Sequence, residues 1–93
     1  MENFNTMEGN SMTRQQQAAV KIQQLLVENQ QLNNAIQELN TEYDILTDQY
    51  MDGRITWNIG GAQRRLNRQI DKLRKRVNKN SSTIWELKGK YNL

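Results

Sequence analysis

The chain contains neither cysteine nor histidine, which removes thiol nucleophiles, disulfides, imidazole bases and nearly all zinc, haem and iron–sulfur ligation. Without cysteine, the sequence carries no mark of redox compartment. Proline is also absent and glycine occurs only five times in 93 residues, so few positions forbid a helix. Hydrophobic residues make up 35% and the mean hydropathy is -0.95. That is poor for the core of so short a globular chain but sufficient for helices that each bury one stripe. No run approaches the roughly 20 apolar residues of a membrane span. The opening Met1-Glu-Asn-Phe-Asn lacks the basic and apolar regions of a secretory signal. These readings give the expectation of a soluble intracellular protein, cytoplasmic or within a virus particle, with no membrane association.

Asparagine and glutamine supply about a quarter of the residues. Polar content of that order also marks disorder, and only periodicity decides between the two. Residues 1–12 (MENFNTMEGNSM) have none and read as a flexible N-terminal arm, on which Phe4 and the methionines could anchor to a partner. Thr13 followed by Gln16 fits a T-x-x-Q capping box, in which hydroxyl and amide satisfy the orphan N–H groups of a helix start. Ile22, Leu25, Asn29, Leu32, Ile36, Leu39, Tyr43, Leu46 and Tyr50 then alternate at spacings of three and four. With Ile22 at heptad position a, Leu25, Leu32, Leu39 and Leu46 occupy successive d positions, a leucine-zipper pattern. Asn29 falls at a, where one buried amide commonly sets register or oligomer state at some cost in stability.

The pattern breaks at Met51-Asp-Gly-Arg-Ile-Thr-Trp-Asn, where Gly53 suits a helix C-cap and Thr56 or Asn58 could cap the next helix. A second series runs Ile59, Gln63, Leu66, Ile70, Leu73, Val77, Asn80, Ile84, Leu87, Tyr91. Thr83 with Glu86 resembles another capping box inside it, but the unbroken phase favours one continuous helix. The expected architecture is all-α: a single coiled-coil hairpin over 13–93, with helices over about 13–51 and 59–91 and a turn over about 52–58, oligomerising into a bundle or docking in a larger assembly.

In an antiparallel pair, an a residue of one helix faces a d residue of the other, so facing residue numbers add to a constant. A constant of 109 centres the turn between Gly53 and Arg54 and pairs Ile22 with Leu87, Leu25 with Ile84, Leu32 with Val77, Ile36 with Leu73, Leu39 with Ile70, Tyr43 with Leu66 and Tyr50 with Ile59. Apolar matches of this kind arise in any heptad register. The informative coincidence is that Asn29 meets Asn80, so two buried amides can satisfy each other. Leu46 against Gln63 is the mismatch, near the turn, where water could reach the amide. Charge agrees in direction: residues 20–52 carry one Lys against six acids, whereas residues 54–93 carry eleven bases against Asp71 and Glu86.

Three surfaces are candidates for function. Arg65, Arg68, Lys72, Lys75 and Lys79 recur at three, four, three and four, which places them at c and f positions as one outward stripe. Such a stripe can track phosphates or an acidic protein surface, and equally it can be an ordinary solvated face; the near absence of interspersed acids argues for the former. Leu26, Val27 and Trp85 fall outside the seam near the open end and form a candidate apolar partner patch, unless Leu26 merely widens the seam beneath Trp85. Ile55 and Trp57 read as a local plug over the turn. Gly60-Gly61 lacks the Lys-Ser/Thr of a phosphate-binding loop, no serine or threonine has a base near it in sequence, and the carboxylates are scattered. The expectation is therefore a protein that is no enzyme, with no cofactor, no catalytic or metal-ligating residue and no small-molecule substrate. The leading reading is a structural or assembly protein working by protein–protein contact or self-association; its composition would suit an AT-rich genome and hence a virion component. The alternatives are a nonspecific nucleic-acid-binding or packaging factor and a zipper-type regulator that sequesters a partner helix.

Overall fold

The computed structural model describes residues 12–93; the expected flexible arm, apart from Met12, lies outside them. The first helix, α1, spans Arg14–Met51 and begins with the capping box. Gln16 N donates to Thr13 Oγ1 at 3.1 Å and Thr13 N donates to Gln16 Oε1 at 2.9 Å. α1 ends in a Schellman closure, with Arg54 N donating to Gln49 O at 2.9 Å and Gly53 N to Tyr50 O at 3.1 Å. That closure requires the left-handed backbone of Gly53, whose φ is +77°.

The second helix, α2, spans Gly60–Tyr91. Asn58 rather than Thr56 prepares its start, its Oδ1 accepting from Gly60 N at 2.8 Å. The Ser81-Ser-Thr segment does not interrupt it. Thr83 Oγ1 donates back to Lys79 O at 3.1 Å, the bond a mid-helix threonine makes, instead of capping a new start.

The two helices pack antiparallel as a hairpin, and the seam follows the expected phase. Ile22, Leu25, Ile36, Ile70, Asn80 and Ile84 are buried, while Asn29, Leu32, Leu39, Tyr43, Leu66, Leu73, Val77 and Leu87 are half-buried. The register is read directly from one bond: Asn80 Nδ2 donates to Asn29 Oδ1 at 3.0 Å. Asn29 passes the chain on, its Nδ2 reaching Ser81 Oγ at 3.4 Å. At the Leu46–Gln63 mismatch, the amide is taken up by protein rather than left to water. Gln63 Nε2 donates to Thr47 Oγ1 at 2.9 Å, and that hydroxyl donates to Tyr43 O at 3.0 Å.

Both ends of the seam depart from the sequence expectation. At the open end Ala18, one heptad before Leu25, is buried and extends the seam. The turn end closes on Ile59, 6% exposed, and half-buried Ile55, while Tyr50 stays 46% exposed. Trp57 is exposed and does not plug the turn. α2 begins after eight non-helical residues, 52–59, with Arg54 N and Ile55 N both donating to Gln49 O, and Ile59 is buried without Tyr50 being buried opposite it as the pairing expected.

Two measurements check this packing. Cysteines placed by Leu39→Cys and Ile70→Cys should cross-link within one chain at high dilution; cross-links found only between chains would replace the hairpin by an intermolecular zipper. Asn29→Leu alone should destabilise the hairpin by about 1–3 kcal/mol, because it strands the buried Asn80 amide. Adding Asn80→Leu should recover that loss, so chemical denaturation of both singles and the double should show strong non-additivity.

Candidate interaction surfaces

In an antiparallel helix pair the e positions of the two helices flank one side of the seam and the g positions flank the other. Glu28 and Arg76 are both g residues, and they pair across the seam at 3.0 Å. This assigns the two flanks. On the g side lie Lys21, Glu28, Glu42, Arg76 and Lys90, with the c residues Glu38, Arg65, Lys72, Lys79 and Glu86 beside them. The e side is different. Its α1 residues run Ala19, Leu26, Asn33, Asn40 and Thr47, bordered at b by Gln16, Gln23, Gln30 and Gln37. One flank of the rod is thus charged and the other, over most of α1, is not.

Leu26 and Trp85 belong to the uncharged flank, at e of α1 and b of α2. The observed register sets Trp85 level with Gln24, within a turn of Leu26. Neither covers the other: Leu26 is 45% exposed, Val27 47% and Trp85 77%. The alternative in which Leu26 merely widens the seam under Trp85 does not match these exposures. Val20, 46% exposed, lies two turns from Val27 at the same f position, so the two valines face outward from α1, next to the flank that holds Leu26. A core cluster of Ile22, Leu25 and Ile84, with Leu87 against it, lies at the same end of the rod. The open end is therefore apolar both inside and out.

The stripe on α2 is fully presented to solvent, with Arg65, Arg68, Lys72, Lys75 and Lys79 all exposed. Among the described residues ion pairs form at Arg54–Asp52 and Arg76–Glu28, and no carboxylate reaches any of these five cations. Near the start of the stripe Arg65, Arg68 and Lys72 line one shallow depression together with Gln69. Gln69 was not singled out from the sequence; its signal is only that it is the g neighbour of two stripe residues. Among the described residues no cluster of three or more carboxylates is placed to hold a metal ion, and no helix is long and apolar enough to cross a membrane.

Cations three and four residues apart on a helix repel by about 0.2–0.5 kcal/mol per pair in low salt. The stripe contains four such successive pairs. Replacing all five cations by glutamine, which has nearly the same helix propensity, should therefore raise the thermal midpoint at low ionic strength. The gain should fade as salt screens the repulsion; a midpoint that falls in low salt would show the cations to be stabilising. Comparison of the chain with protein-family models, curated proteins and solved structures gives no match.

Proposed function

We propose that this hairpin is a structural or assembly protein that acts without catalysis, through protein–protein contact at its open end, and that a second copy of the chain is the first partner to consider. The observation that carries the reading is the exposure of Leu26 and Trp85 on the uncharged flank, with Val20 and Val27 exposed on the adjoining outer face of α1, at the end of the rod where Ile22, Leu25 and Ile84 cluster. A two-fold contact lays a surface against itself. A patch of one charge sign would repel its own copy, whereas the open-end part of the e flank has no acid and only Lys88 among its e and b residues. Apolar side chains ringed by glutamine, asparagine and serine suit that contact, with aromatic burial at the centre and polar groups at the rim. A setting inside a virion or another large complex is compatible with this role.

The patch also provides its own reporter. With Trp57→Phe to remove the other indole, Trp85 emission should shift to shorter wavelength as concentration rises to about 100 µM, in step with a growing mass by sedimentation. Leu26→Gln and Val27→Gln together should abolish both changes and leave helix content intact. A chain that stays monomeric with a water-exposed Trp85 over that range would overturn self-association.

A further inference from the structure

We propose that the outer stripe of α2 binds the phosphodiester backbone of nucleic acid, with the depression between Arg65, Arg68, Gln69 and Lys72 as its phosphate seat. This goes beyond self-association and uses a different face of the rod. The hairpin pairs charge where its flanks meet: Arg76, at g, reaches Glu28 across the seam. The five stripe cations point away from α1, where none has a carboxylate within reach. Their charge is uncompensated within the described residues.

The geometry of the stripe selects the kind of anion. Its cations step along a straight helix by three and four residues, rises of about 4.5 and 6 Å, over a length of about 21 Å. A regular linear array of charge fits a regular linear polyanion. In the seat, two guanidinium forks, an ammonium and a carboxamide surround one depression. Guanidinium forks bind phosphate oxygens in pairs, the ammonium adds a point charge, and the carboxamide adds a neutral N–H donor. No aromatic side chain lies between Arg65 and Lys79, so the stripe offers no platform for stacking bases. Recognition therefore runs through phosphate and is independent of sequence.

The test uses the full chain with mixed-sequence DNA, duplex and single-stranded, by fluorescence anisotropy. Five phosphate contacts give a slope of log K against log salt of about -4.5 for duplex and about -3.5 for single strands. For duplex this is a loss of about 500-fold between 50 and 200 mM salt. Converting the five cations to glutamine should abolish binding at the lower salt while circular dichroism stays unchanged, and Arg68→Gln alone should flatten the duplex slope by about 0.9. Absence of binding at the lower salt, or binding that survives the five substitutions, would overturn the proposal. Poly-glutamate bound as tightly as DNA would overturn it in favour of an acidic protein partner.

Discussion

The register of the hairpin rests on one buried hydrogen bond between two amides. A seam built from a and d residues is nearly blind to slippage by a heptad, because aliphatic side chains meet aliphatic side chains in every such register. The asparagines are not blind to it. In the two neighbouring heptad registers Asn29 would face Leu73 or Leu87, and Asn80 would face Ile22 or Ile36. Either slip buries two amides against hydrocarbon, and each unsatisfied group costs about 1–3 kcal/mol. The observed register instead joins them at 3.0 Å. The Schellman closure at Gly53 selects the same register from the other end, by fixing where α1 must stop.

Surface identity follows from that bond. Because Asn29 faces Asn80, Glu28 and Arg76 meet on one flank, and Leu26 comes within a turn of Trp85 on the other. A heptad slip in either direction would separate one of these pairs, Glu28 from Arg76 in one case and Leu26 from Trp85 in the other, while preserving the seam. The interior thus decides which exterior groups share a surface, although none of those groups is needed to hold the helices together. The proposed contact face and the proposed phosphate seat are both compositions of b, c, e, f and g residues, which the seam leaves free to vary.

The hairpin, its register and its stripe were legible because each has a period. Heptad spacing displays the seam, the asparagines break it in matching places, and the basic residues recur on the opposite face. What escaped was non-periodic. Ile59 is buried as its place at the head of the second series predicts, but Tyr50, its expected partner, is left exposed, because the path of residues 52–59 between them is encoded by no periodicity. The acceptor for Gln63 is Thr47, whose mid-helix position gave no reason to expect a partner across the seam. Ala18 and Val20 are different. Their heptad positions were readable, but both precede the first large seam residue, where an alanine in the core and a valine on the surface attract no notice in a glutamine-rich segment.

Charge arrangement bears on why the helices fold together. The acids of α1 gather toward its C-terminus, at Glu38, Glu42, Asp44, Asp48 and Asp52, and the bases of α2 begin soon after its N-terminus, at Arg64 and Arg65. α1 therefore opposes its own macrodipole, which favours bases at C-termini and acids at N-termini, whereas α2 carries Lys88 and Lys90 in its last turn and agrees with its own. Antiparallel packing reverses the penalty, since the acidic end of α1 then lies beside the positive end of α2. Isolated, α1 would be weakened; beside α2 that cost is offset. The same packing leaves a core only one seam thick, with no large side chain fully buried among the described residues. A rod of that kind has little apolar burial to spare, so an apolar open end and an uncompensated cationic stripe are both costs to the lone chain. Each cost falls when the corresponding partner binds, which couples the stability of the fold to occupancy of the two proposed surfaces.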